Sequence, residues 1–180
     1  MIKRLVIFGA TGDLTARYLL PGIAALLSDY MHETYSAEWR GKPIAIERDG
    51  FGNQFHLAVA ASGPEIVAFI AWTLSYDLHH CLAGGAVLDL YVAPEHRYRG
   101  VAALLITAVC KEVFAVGGRF LKGGAVDSVT ANRLYSRFTP AFGNEYTLGG
   151  RAFRRLAEFG GASARDLVRS LPKKAWNFEA

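Results

Sequence analysis

The sequence predicts a single α/β domain of the α+β kind, spanning 1–180, in which helices flank a mixed, largely antiparallel sheet of about six or seven strands. Three observations predict it. Short runs rich in branched and aromatic residues recur through the chain, and two of them are joined by Ser62-Gly63-Pro64, a turn signal. Helical stripes of apolar residues lie among these runs. At the centre, a strand over 86–92 runs through Pro94 and a basic glycine loop into an amphipathic helix whose stripe is Val101, Leu104, Leu105, Ala108, Val109 and Val113.

Taken in order, residues 3–8 read as a strand, followed by Gly9-Ala-Thr-Gly-Asp-Leu14 and a helical run broken by Pro21. A helix continues over 23–35, with Leu26, Leu27, Tyr30 and Met31 at apolar spacing. Residues 36–53 form a mixed connection, with a short helix over 43–48. Strands follow over 55–61 and 66–75. The segment 76–85, with its Gly84-Gly85, breaks the pattern before the central strand. Beyond the central helix come a strand over 119–126, a helix over 128–138 and a strand over 145–148. Residues 151–156 fit either the return arm of a hairpin or a helix, because Phe153 and Leu156 satisfy both. A capped helix over 163–171 stops at Pro172, and the C-terminal tail carries Trp176 and Phe178.

Composition narrows the function classes. With 180 residues, 52% hydrophobic, the chain can build a substantial core. A net charge of +4 suits an anionic ligand, and without an aromatic–basic stripe it argues against nucleic acid as a partner. Cys81 and Cys110 match no metal or redox spacing and read as free thiols of a reducing compartment, and no metal site is expected. No run is long enough to span a bilayer, so the expected location is the cytoplasm and no membrane partner is expected. Trp176 and Phe178 need burial on this chain or on a second copy, which admits a homodimer.

The loop before the central helix carries the chemistry. Unpaired N–H groups and the positive helix end can cradle a phosphate group there. Gly100 and Ala102 let the backbone come close to a ligand, while Arg97 and Arg99 add charge and forked donors. The run Arg97-x-x-Gly100-x-Ala102 after Leu90-Tyr91-Val92-x-Pro94 resembles the acetyl-CoA-binding motif of the GNAT superfamily of N-acetyltransferases.

That resemblance implies a sheet split at its centre for acetyl-CoA. Main-chain amides of Arg99, Gly100, Val101, Ala102 and Ala103 would take the diphosphate, with Arg97 and Arg99 flanking it. The main chain of Leu90, Tyr91 and Val92 would pair with the pantetheine arm, and an amide near Val92 would polarise the thioester carbonyl. The family's second motif, Asn-x-x-Ala-x-x-x-Tyr, is matched by Ser128-Val-Thr-Ala131-Asn-Arg-Leu-Tyr135, with Ser128 where the family has asparagine. Tyr135 becomes the acid toward the departing sulfur, a reading preferred over that of a core tyrosine because the loop motif is present. Asp89 is placed on the opposite strand face from Leu88 and Leu90. It reads either as the group that binds or deprotonates the acceptor amine or as a structural carboxylate. Asp77 and His79, with His80, are assigned to the acceptor entrance, and Glu33 to selecting a cationic acceptor. The implied reaction is acetyl transfer to a primary amine of a small molecule, such as a polyamine or an aminoglycoside-like compound, in a ternary complex.

Residues 1–27 additionally resemble the N-terminus of glucose-6-phosphate dehydrogenases, which implies as an alternative an NADP-binding module through Gly9 to Leu14. Within the transferase reading this segment supplies the first strand and helix. A further alternative is a CoA-binding protein without catalytic activity.

Overall fold

The computed structural model describes residues 4–8, 20–35, 54–125, 129–143, 145–160 and 163–170. The expected short helix over 43–48, the turn Gly9 to Leu14, Ser128 and the Trp176 tail lie outside the described residues.

Seven strands form one sheet: β1 (Arg4–Phe8), β2 (His56–Ser62), β3 (Glu65–Asp77), β4 (Leu82–Val92), β5 (Leu121–Gly124), β6 (Ala141–Phe142) and β7 (Glu145–Leu148). Their order across the sheet is β1-β2-β3-β4-β5-β7-β6. Every neighbouring pair is antiparallel except β4 and β5, which run parallel and meet only at Gly85 opposite Leu121 and Ala86 opposite Lys122. β1 is thus an edge strand antiparallel to β2. A dinucleotide fold would instead need it in a parallel sheet.

Among the described residues, five α-helices accompany the sheet: α1 (Leu20–Tyr35), α2 (Val101–Ala115), α3 (Val129–Tyr135), α4 (Gly150–Ala157) and α5 (Ala164–Ser170). One sheet face is covered by α1, whose Ile23, Leu26 and Leu27 pack on Leu57, Val59, Phe69 and Tyr91. On the other face α2 lies between the sheet and α4 and α5. Its buried residues therefore run nearly all round it, from Val101 through Leu105 and Val109 to Val113. Phe153 of α4 and Leu167 of α5 close this larger core, and a fully buried side chain of their size contributes about 1.5–3 kcal/mol.

Several local expectations are corrected. Pro21 does not break a helix; it sits in the first turn of α1, where an N–H has no intrahelical partner anyway. The segment 76–85 is not a break. β3 runs on to Asp77, a four-residue turn follows, and Gly84 and Gly85 lie inside β4. Glycine is required there for space. A Cβ on Gly84 would meet the Phe120 ring at 2.5 Å, and one on Gly85 would meet Val113 at 2.8 Å. The strand expected over 119–126 is confined to Leu121–Gly124. Residues 151–156 are helical, with Ala152, Phe153 and Leu156 inward at helical spacing. The last helix starts as its sequence demands: Ser163 Oγ accepts from the Asp166 amide at 3.2 Å.

Candidate active site

Two features of the backbone open a site at the middle of the sheet. First, β4 and β5 separate after Ala86 and Lys122. Second, the register of β3 against β4 shifts between Ala71 opposite Asp89 and Trp72 opposite Val87, which leaves Leu88 as a bulge. The bulge overrides strict alternation. Val87 and Leu90, three apart, both face the gap, so the expected sharing of a face by Leu88 and Leu90 does not hold. The gap is an open cleft lined among others by Val87, Leu90, Leu121, Tyr135, Phe138 and Tyr146.

The β4 edge facing this gap has free main-chain groups. Ala93 N–H donates to Val67 O at 2.9 Å, and the antiparallel register makes alternate residues of β4 exchange bonds with β3. Leu90 and Val92 are the intervening residues. The Leu90 N–H and C=O and the Val92 N–H point toward the gap, while the Val92 C=O is taken by Arg97 Nε.

At the end of β4 a 3-10 turn, Pro94–His96, leads to the loop before α2. Tyr98 (φ 59°) and Gly100 (φ 80°) both adopt the left-handed conformation. The first helical bond runs from Leu104 N–H to Gly100 O, and no amide of residues 98–103 has an acceptor among the described residues. Ala103 and Val101 have buried side chains, and Arg99 is exposed. The α-carbon of Gly100 lies against α5, so that a Cβ there would meet the Ala164 methyl at 2.7 Å. The Tyr98 hydroxyl lies 3.2 Å from Thr130 Oγ1 and links the loop to α3.

Arg97 stands apart from this cradle. Its amide donates to Pro94 O, its Nε to Val92 O at 2.8 Å, and its Nη2 to both Glu33 oxygens at 2.8 and 2.7 Å. Tyr91 Oη donates to Glu33 Oε2 at 2.9 Å, with the guanidinium carbon 5.5 Å from the Tyr91 ring centre. Arg97, expected beside the diphosphate, and Glu33, expected at the acceptor, are thus each other's partners. The Arg97 hydrogen bonds hold the Glu33 carboxyl below its usual value. Burial and the Glu33 hydrogen bond push Tyr91 up to about 12.

Asp89 shares the α1 face of β4 with Tyr91. It accepts a hydrogen bond from Tyr30 Oη, one turn before Glu33 on the same face of α1. Burial raises the Asp89 carboxyl above its usual value, with the Tyr30 hydrogen bond acting in the opposite direction. Tyr135 lies on the cleft wall, its ring 5.3 Å from that of Tyr146, and its hydroxyl takes no hydrogen bond among the described residues. Burial raises its pKa, followed by Tyr146 and by the Asp89 charge, so Asp89 and Tyr135 are within electrostatic reach of each other. Tyr146 Oη donates to Asn132 Oδ1 at 2.7 Å, which fixes the second ring.

Asp77 and His79 are not brought to this cluster. They sit at the β3–β4 turn, where Asp77 Oδ1 accepts from the amides of His79 and His80 and Oδ2 faces the His80 ring at 2.9 Å. The His80 hydrogen bond lowers the Asp77 carboxyl. That turn precedes Asp89 by seven residues of β4, roughly 20 Å at ~3.3 Å per residue. Cys81 is exposed on the same turn, while Cys110 is buried in α2 with its thiol pushed up by burial. Neither faces the cleft.

Sequence reading alone missed Tyr30 and Tyr146. Tyr30 was legible as an apolar-stripe residue, and its spacing of three from Glu33 matches the spacing of two between Asp89 and Tyr91. Tyr146 carried no local signal; only its register beside Gly123 brings it to the cleft.

Residues 20–139 match the acetyltransferase (GNAT) family. No curated protein matches the sequence. Among solved structures, the chain is similar to a ribosomal-protein-alanine N-acetyltransferase from Brucella melitensis biovar Abortus 2308, with 20% identity over 77% of this chain and 92% of that one and a TM-score of 0.61. It is also similar to an aminoglycoside acetyltransferase from an uncultured soil metagenomic sample, with 22% identity, 78% and 92% coverage and a TM-score of 0.59. An integron cassette protein of V. cholerae, 12% identical, covers 87% of this chain and 98% of its own at a TM-score of 0.62. At such identities the likeness is one of fold.

Proposed function

Because the chain belongs to the acetyltransferase (GNAT) family, we propose that it transfers an acetyl group from acetyl-CoA to a primary amine of a small molecule, by direct attack in a ternary complex. The observation that carries this reading is the run of uncommitted amides over 98–103, continuous with the free β4 edge at Val92 and Leu90 and with the cleft beyond. Acetyl-CoA supplies the acyl group as a thioester, whose thiolate leaving group has a pKa of about 8.5.

The amides of 98–103 hold the diphosphate, helped by the positive end of α2 and the exposed Arg99. Leu90 and Val92 pair with the pantetheine amides as a strand would, and the Val92 N–H polarises the thioester carbonyl. An alkylammonium has a pKa of about 10 and no free lone pair, so it must lose a proton before attack. Asp89, with its carboxyl raised by burial, attracts the ammonium and takes up that proton directly or through water. As the amine nitrogen bonds to the carbonyl carbon and the C–S bond breaks, Tyr135 gives its hydroxyl proton to the departing sulfur. The solved aminoglycoside acetyltransferases among the similar structures support polycationic amines as the acceptors to try first.

The test is calorimetric titration with CoA, acetyl-CoA and NADP, followed by aminoglycosides and polyamines scored for thiol release. Micromolar heat with CoA and thiol release with an amine are expected. Heat with NADP alone would replace this reading by nucleotide binding, and CoA binding without turnover on any amine would leave a binding protein.

A further inference from the structure

We propose that Glu33 and Arg97 form a positioning clamp, tying α1 to the start of the diphosphate cradle and holding the cradle in its binding shape before the cofactor arrives. The inference rests on the reading that residues 98–103 bind the diphosphate.

The geometry leaves Arg97 little else to do. It stands where β4 has ended and the left-handed Tyr98 is about to turn the chain. Four anchors fix it there: its own amide to Pro94 O, Nε to Val92 O, Nη2 to both Glu33 oxygens, and the guanidinium over Tyr91. With Nε on the strand and Nη2 on Glu33, its charge is met by a carboxylate and its plane is locked. Glu33 is equally committed, since Oε1 accepts from Arg97 and Oε2 accepts from both Arg97 and Tyr91. An acceptor ammonium reaching this carboxylate would have to compete with the guanidinium.

The consequence is preorganisation. A loop with two left-handed residues and six uncommitted amides loses conformational freedom when it closes on an anion, and a loop already held in shape loses less. Arg97 Nε also holds the carbonyl of Val92, so the end of β4 where the cradle begins is tied, through Glu33, to a helix that also carries Tyr30 against Asp89.

The test compares wild type, Glu33→Gln, Arg97→Lys and the double variant, using CoA in calorimetry and two donors in turnover: acetyl-CoA and S-acetylpantetheine, which lacks the diphosphate. Either substitution is expected to weaken CoA binding about tenfold and to raise the KM for acetyl-CoA in step, with kcat unchanged. Kinetics with S-acetylpantetheine should stay at wild-type values. The double variant should be no weaker than the worse single one, because the two residues act as one unit. Glu33→Gln keeps an acceptor for Tyr91, so it gives the reading even where Arg97→Lys unfolds. Wild-type CoA affinity in both single variants would overturn the clamp, as would a raised acceptor KM with both donors, which would put Glu33 at the acceptor. Absence of CoA heat in the wild type would remove the cradle itself, and the clamp with it.

Discussion

Arg97 Nη2 lies 2.8 and 2.7 Å from the two oxygens of Glu33, a residue 64 positions earlier in the chain. This contact ties α1 to the loop before α2, and it gives the fold a pH signature. Arg97 lowers the Glu33 carboxyl from its ordinary value of 4.5. The stability it adds is complete above that value and is lost as pH falls through the lower folded value. Thermal unfolding of the wild type should therefore fall more steeply with acidification below about pH 4.5 than that of Glu33→Gln. The difference should shrink in high salt, since the pair is partly solvated. Parallel Tm curves for the two proteins would contradict the pairing.

Tyr135 is expected to matter for turnover and not for binding. Tyr135→Phe should lower kcat about 10²-fold while leaving the CoA dissociation constant unchanged. Burial, Tyr146 and Asp89 all raise the Tyr135 pKa, so the acid stays protonated past its ordinary value of 10.0. The wild-type kcat profile should show no alkaline decline up to pH 9. Unchanged kcat in Tyr135→Phe would return the residue to the core role that its burial also allows.

Much of this arrangement was legible in the sequence, and the part that was not has a common physical origin. The strand, Pro94, glycine loop and helix announce themselves locally, because each depends on backbone preferences of neighbouring residues. Gly84 and Gly85 looked like a break because the reason for them is the Phe120 ring and Val113, which only tertiary packing brings there. Arg97 looked like a phosphate ligand because its partner is remote in sequence. The bulge at Leu88 has no residue signature, yet it decides which β4 side chains face the cleft. Asp77 and His79 were grouped with the site by nearness in sequence to Asp89, but an extended strand carries the two ends of that interval apart.

Gly100 is held by two independent constraints, its left-handed φ of 80° and the Ala164 methyl 2.7 Å from where a Cβ would stand. Gly100→Ala should lower Tm, at a cost of about 1–3 kcal/mol for the strained backbone alone, and weaken CoA binding by displacing the cradle amides. Adding Ala164→Gly relieves the steric part and not the conformational part. The double variant should therefore recover some of the lost Tm and affinity, but not all. Full recovery would mean that φ at residue 100 is immaterial, and none would mean that α5 does not press on the loop.

Asp89 is where stability and activity are set against each other. Burial raises its folded pKa above the ordinary 3.8, so the folded state keeps a proton over an interval in which the unfolded chain has lost it. Stability then declines as pH rises through that interval and stays lower at neutral pH, the reverse of the Glu33 case. Asn in place of Asp removes the charge and keeps an oxygen for Tyr30 Oη. Asp89→Asn should accordingly raise Tm at pH 7 while lowering kcat/KM about 10²-fold. At pH values below the ordinary carboxyl value the Tm gain should vanish. The acid limb of the wild-type kcat/KM profile should lie above the ordinary aspartate value of 3.8 and be missing from the variant. A fall in Tm at neutral pH would show that the carboxylate stabilises the fold as an ion, and unimpaired turnover would take the proton acceptor away from β4.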